Sequence, residues 1–207
     1  MKIGAEADII NTKFNNKKYI IKKRIQKKYR VAELDEKIRK CRTKKEAKIL
    51  QLCFQKKIPV PVVFVKDKYS LLIEFIKGIT LKEFLEKSKE ITKIKYILKK
   101  CGFFIAQMHK TNIVHGDLTS TNIIVKKEGK ELIPYFIDFG FGQITLKIEL
   151  KAMDIYLFEK IFIADFPDLK KHLQIFEEEY FENLPDVEAK QIKKRLLKIQ
   201  KRGRYKD

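Results

Sequence analysis

At 207 residues, with 44% apolar side chains and 15 Phe, the chain can bury one substantial core or two small packed lobes, which excludes a disordered polymer. Lys and Arg outnumber Asp and Glu by 47 to 27, and the resulting net charge of +20 predicts attraction to polyanions such as nucleic acid. No apolar run is long enough to span a bilayer, and the opening MKIGAEADII lacks the apolar core of a secretory signal, so the expected location is the cytoplasm or, in a eukaryote, the nucleus.

Residues 17–22 (KKYIIK) form a β-branched and aromatic run after Asn15-Asn16, which predicts a strand entered from a hairpin turn. From Thr43 the pattern becomes helical, with Ala47, Leu50 and Phe54 recurring at spacings of three and four. Thr43 followed three residues later by Glu46 fits a capping box at the start of that helix. The segment Ile58-Pro59-Val60-Pro61 ends it, and residues 62–65 and 71–75 then predict two strands around a turn at 66–68. After Gly78 helices dominate: a short one begins at Leu81, and a longer one over 94–109 puts Ile97, Leu98, Cys101, Ile105 and Met108 on one face. Two short apolar runs, 123–125 and 135–137, flank a polar turn at 126–131 and predict a hairpin between helices. From Ala152 the chain is helical again, punctuated by Pro167 and Pro185. The layout is α+β: a strand-rich N-lobe over 1–76, a joint near 74–78, and a reduced helical C-lobe over 77–207 with a basic tail.

The positive charge is not spread evenly. Nine of the eighteen residues over 13–30 are Lys or Arg, and so are nine of the seventeen over 190–206. A biased genome would also enrich Lys, but two dense clusters favour a surface for RNA or another phosphate-rich partner. Cys41, Cys53 and Cys101 are far apart and odd in number, so they are expected to be small buried hydrophobes. His109 is expected at a helix end and His172 on the surface; neither is nominated for chemistry.

The chemistry concentrates in His115-Gly116-Asp117-Leu118-Thr119-Ser120-Thr121-Asn122, followed sixteen residues after Asn122 by Asp138-Phe139-Gly140. Transfer of a phosphoryl group needs a carboxylate near the attacking hydroxyl and oxygen ligands that hold Mg²⁺ on the phosphates. An Asp, an Asn five residues on, a hairpin and Asp-Phe-Gly supply these groups in the order of the protein-kinase signature, which the chain resembles. The resemblance implies a bilobal kinase-like fold that binds ATP and Mg²⁺. It assigns Asp117 as catalytic base, Asn122 and Asp138 as magnesium ligands, Lys22 as the lysine on the ATP phosphates, and Glu46 as its helix partner. Gly4, Ala5, Glu6 and Ala7 stand where the phosphate-covering loop would be, and the backbone from Glu74 to Ile76 would meet the adenine. Lys22 competes for its role with Lys23, and Glu46 with the capping reading.

The departures narrow the family. No GxGxxG stands near the start, Gly116 replaces the usual Arg, Thr119 replaces the Lys of ordinary Ser/Thr kinases, and no Ala-Pro-Glu follows Asp138. The chain is therefore expected to need no activation-loop phosphate and to lack a platform for extended peptides. With Gly4-Ala5-Glu6-Ala7, Lys27-Lys28-Tyr29-Arg30, Leu34-Asp35, Arg42-Thr43 before Glu46-Ala47, Pro59-Val60-Pro61 and Arg202-Gly203-Arg204, the set resembles the atypical kinase subunit of the KEOPS (EKC) complex, the PRPK family. That resemblance spans the chain and weakens after Gly142, where Leu150 replaces an expected acid. It implies an atypical serine/threonine protein kinase or ATPase that supports a threonylcarbamoyl-transferase subunit modifying adenosine in tRNA, alongside other KEOPS subunits. The basic tail would then lie toward that partner and the tRNA. A small-molecule phosphotransferase, a RIO-like ribosome-assembly ATPase and a non-catalytic scaffold stand as alternatives.

Overall fold

Asn15 and Asn16 both adopt left-handed backbone angles (φ 47° and 60°), the geometry that joins two strands through a tight turn and that Asn tolerates better than most residues. They connect β2 (Ala7–Phe14) to β3 (Lys17–Arg24) in register from Ala7 opposite Arg24 to Phe14 opposite Lys17. This hairpin sits in a computed structural model that describes residues 2–3 and 7–203. With β1 (Lys2–Ile3), β4 (Val63–Val65) and β5 (Ser70–Glu74) it forms an antiparallel sheet of order β1-β2-β3-β5-β4.

The helix beside this sheet, α1, runs Ala32–Gln55 and so begins eleven residues before Thr43. Thr43 is therefore mid-helix, with its hydroxyl donating to the Arg39 carbonyl at 2.9 Å, and the capping-box reading is corrected. The pattern misled because the buried face of α1 includes Asp35, Thr43 and Glu46 as well as Ala47, Ile49, Leu50 and Cys53. Asp35 anchors the start: fully buried, it accepts from the Lys27 amide at 3.2 Å and from Arg39 Nε at 2.6 Å, with Arg30 at 3.7 Å.

Beyond the sheet, β6 (Ile79–Thr80) leads into α2 (Leu81–Lys87), which Thr80 caps by accepting from the Glu83 amide at 3.1 Å. The long helix α3 (Ile91–Lys110) buries Ile94, Ile97, Leu98, Cys101, Ile105 and Met108 along one face. After β7 (Ile113–Val114), β8 (Ile123–Glu128) and β9 (Glu131–Phe136) make the expected hairpin, each strand longer than the sequence suggested. Pro134 fits inside β9 because that strand is the edge of the sheet β6-β8-β9. β10 (Gln143–Ile144) pairs back on β7, and only then does α4 (Ile148–Asp165) begin.

A 3₁₀ turn (Pro167–His172), α5 (Leu173–Glu182) and α6 (Asp186–Gly203) complete the helical lobe. α3 and α5 approach closely at Gly102, where a Cβ would lie 2.4 Å from the Phe176 carbonyl oxygen. α6 is tied to α4 by the buried Lys151, which binds Asn112 Oδ1 at 3.0 Å and pairs with Glu188, and by Arg195 with Glu149. Two surface expectations are corrected: His172 is buried and Cys41 is exposed, while Cys53 and Cys101 are buried as expected. None of the described helices is long and apolar enough to cross a membrane.

Candidate active site

Strand side chains alternate between faces, so of Lys22, Lys23 and Arg24 the first and third point the same way. α1 lies over that face, and it buries Lys22 and Arg24 while leaving Lys23 exposed. Glu46 of α1 meets both: Lys22 Nζ donates to its Oε1 at 2.7 Å and Arg24 Nη2 donates to its Oε2 at 2.6 Å. A carboxylate that is 1% exposed is stable there because two cations and directed hydrogen bonds replace its water. Arg24 was not foreseen, although its i,i+2 spacing from Lys22 was a signal for a shared face.

Lys22 Nζ also reaches Asp138 Oδ1 at 2.7 Å, which joins the sheet to the loop after β9. Asp138 has φ 63°, a left-handed angle uncommon outside Gly and Asn, and its Oδ1 accepts from the Gly140 amide at 3.3 Å. Burial would push the Asp138 carboxyl up, but the Lys22 ammonium, its hydrogen bond and the Gly140 amide together hold it below the usual carboxylate range.

The second loop is built on Asp154 of α4, a buried residue that accepts from the His115 amide at 2.7 Å and the Gly116 amide at 2.8 Å. Its Oδ2 also lies 3.3 Å from His109 Nε2, and His109 Nδ1 is 2.6 Å from the Tyr180 hydroxyl. Sequence reasoning assigned Asp154 no role, because no local spacing shows that a helix forty residues on holds this loop. Gly116 is required by geometry: its φ is 81°, and a Cβ would lie 2.5 Å from the Phe141 carbonyl oxygen. An Arg at this position would clash, which explains the most conspicuous departure from ordinary kinases. His115 Nε2 donates to the Ile137 carbonyl at 3.0 Å and Nδ1 accepts from the Asp117 amide at 3.3 Å. Burial lowers its pKa, against the opposing pull of Asp154, which keeps the imidazole neutral in that bridging role.

Asp117 and Asn122 are brought together. Asn122 Nδ2 donates to the Asp117 carbonyl at 2.9 Å and to Asp117 Oδ2 at 3.0 Å. Asn122, Asp138, Lys22, Glu46, Glu74 and Ile76 all line one cleft of about 600 Å³. Hydrogen bonds join Lys22 to Glu46 and Asp138, Asn11 and Glu74 also line the cleft, and Ile9, Ile20, Leu50, Ile73, Ile124 and Ile137 supply apolar walls. That is a fit for a nucleotide: a flat base between aliphatic side chains, and phosphates with a divalent cation beside an ammonium and oxygen donors. Glu74 Oε2 is used internally, accepting from the Val62 amide at 3.1 Å. Ala7 is buried at the start of β2 opposite Arg24, whereas Gly4, Ala5 and Glu6 lie outside the described residues.

Comparison with known proteins places these features in context. The RIO domain family matches residues 8–156. A KEOPS complex subunit Bud32 from Pyrococcus abyssi is 36% identical over all of this chain and 96% of its own length. A probable bifunctional tRNA threonylcarbamoyladenosine biosynthesis protein from Methanosphaera stadtmanae is 38% identical over 98% of this chain, which spans 36% of that relative. Among solved structures, the Rio2 kinase–ADP/Mg²⁺–phosphoaspartate complex from Chaetomium thermophilum superposes with a TM-score of 0.68 at 15% identity, over 97% of this chain and 70% of the other. At that identity the likeness speaks for the fold alone: an antiparallel sheet lobe joined to a helical lobe.

Proposed function

We propose a function from one premise: the chain belongs to the RIO-domain family and, within it, to the Bud32 family of KEOPS/EKC subunits. On that premise it is an atypical Mg-ATP-dependent phosphotransferase or ATPase that supports threonylcarbamoyl-adenosine modification of tRNA. The observation that carries this reading is that Lys22, Asn122 and Asp138 line one cleft, with Lys22 bonded to Asp138 and Asp117 hydrogen-bonded to Asn122.

In this reading Asn122 and Asp138 hold Mg²⁺, which when bound draws charge off the phosphates and fixes their position. Lys22, oriented by Glu46, sets its ammonium on the phosphates. Asp117 accepts the proton of the attacking hydroxyl or water, and the Asn122 amide keeps its carboxylate turned toward that position. The backbone from Glu74 to Ile76 borders the adenine, and the lobes divide there, 1–76 from 77–207. Only a few residues separate Gly140 from β10, and α4 follows, so the segment that holds peptide substrates in larger kinases has little room. That favours ATP hydrolysis or autophosphorylation, coupled to partner subunits, over phosphorylation of extended peptides. The exposed lysines of the cluster over 13–30, such as Lys13, Lys17 and Lys18, and those of α6, such as Lys190, Lys194 and Lys198, supply a surface for tRNA. The site of action is the cytoplasm, or the nucleus in a eukaryotic cell.

The test is phosphate release by the Asp117→Ala variant. Its turnover should fall about 100-fold or more, the loss typical of a missing general base, with an unchanged unfolding midpoint. Unchanged turnover would sink the enzyme reading. Co-purification of a threonylcarbamoyl-transferase subunit from native cells tests the assembly separately.

A further inference from the structure

Away from the cleft, the groove between α5 and α6 holds a carboxylate that the fold leaves without a countercharge. Glu159 of α4 forms part of its wall and is only 5% exposed. Its Oε2 accepts from Gln200 Nε2 of α6 at 3.0 Å, while its Oε1 is buried with no hydrogen-bond partner. Burial pushes this carboxyl up to about 7, Glu177 across the groove pushes the same way, and only the Gln200 hydrogen bond opposes them. In a chain with 47 Lys and Arg, no described cation pairs with it. An unpaired buried acid of this kind is a standing cost to the fold, and a cation would remove it.

The surroundings define what cation would fit. The groove encloses about 650 Å³ and is edged by Glu177, Glu178 and Glu182 of α5 and Asp186 of α6. Burial also pushes Glu177 up, with Glu178 adding to it and Lys193 opposing. The Lys193 ammonium lies over the Phe181 ring, 4.5 Å from its centroid, and Lys190 stands on the same lip. Among the described residues no group of three or more His, Cys, Asp or Glu is arranged to hold a metal ion. The α5 wall from Gln174 to Glu182 extends about 12 Å at the helical rise, longer than a single ammonium needs. Ala189 and Leu196 give the groove an apolar strip between its acidic groups.

We propose that this groove binds a linear aliphatic polyamine, with one ammonium between Glu159 and Glu177, another toward Glu182 and Asp186, and the methylene chain along Ala189 and Leu196. An ammonium between Glu159 and Glu177 replaces their mutual repulsion with two attractions. The fold has already desolvated Glu159, so the ligand recovers a penalty that exists without it. The strong positive charge of the rest of the chain repels polyamines, so non-specific binding is disfavoured.

The experiment uses spermidine as the probe at pH ~8, where Glu159 is ionised, read by calorimetry and by thermal unfolding. Spermidine should bind one molecule per chain and raise the unfolding midpoint. Glu159→Gln and Glu177→Gln should each weaken it at least about tenfold, the loss of one charge-assisted contact. Glu159→Gln keeps the shape of the protonated acid and should fold at least as well as the parent, so a lost response is not lost structure. Undiminished binding by Glu159→Gln, or an equal midpoint shift from butylamine or magnesium chloride at matched ionic strength, overturns the proposal.

Discussion

The cleft between the lobes and the α5–α6 groove each bury a glutamate, and they treat it in opposite ways. Glu46 is 1% exposed and receives Lys22 on one oxygen and Arg24 on the other. Glu159 is 5% exposed and receives one neutral amide on one oxygen and nothing on the other. The cleft arrangement is self-sufficient, because each charge is answered by another element of the fold. The groove arrangement is incomplete, and its carboxyl answers by holding its proton up to about pH 7. The difference separates charge used to align elements, as Glu46 aligns α1 with β3, from charge left available to something outside the chain.

The contrast can be broken most forcefully at Glu46. Glu46→Ala leaves Lys22 and Arg24 buried without their shared anion and should cost about 3–5 kcal/mol, measured by chemical unfolding. A loss below about 1 kcal/mol would mean that water relieves the pair and that the cleft is less closed than its geometry shows.

Glu159→Gln should act with the opposite sign and only above the acid range. The native carboxyl titrates near 7 against an ordinary value of 4.5, so the unfolded chain releases this proton first as pH rises. The contribution of Glu159 to native stability is therefore highest below pH 4.5, falls through the interval, and carries the full penalty above 7. Gln has no such penalty: the variant should match the parent near pH ~4.5 and exceed it by on the order of 3 kcal/mol at pH ~8. A stability difference that does not change with pH would show that Glu159 is not protonated in the native state.

The smallest of these effects sharpens the cleft itself. Lys22→Met should weaken ATP turnover at least about tenfold, whereas Lys23→Met, on the exposed face, should leave it within a factor of about two. Equal effects in ATP titrations would mean that the phosphates are held elsewhere.

Much of the fold was legible because local rules and tertiary packing agree there. Asn15-Asn16 marks a turn whose two left-handed residues only a few side chains tolerate, and the apolar spacing of α3 reports a face that is in fact buried. Where packing uses polar atoms, the pattern went silent. The first half of α1 reads as a charged run because its anchors are Asp35 and Thr43, which bury through ion pairs and a back-bond and not through an apolar stripe. The two-residue strands β7 and β10 are too short for any period to show, although their pairing fixes the chain immediately after Asp138-Phe139-Gly140.

By itself the sequence determined the α+β layout, the family, and the loops that carry Asp117, Asn122 and Asp138, because each rests on residues close together in the chain. It also determined that Lys22 and Arg24 share one face of a strand and Lys23 the other, since the pleat repeats every two residues. Which face would be buried was decided only when α1 brought Glu46 over β3. The same is true of Asp154, which holds the His115-Gly116 amides from α4, and of Glu159, which three helices enclose without a cation. In each case the deciding partner lies far along the chain, where no spacing rule reaches and only the packed elements set the distance.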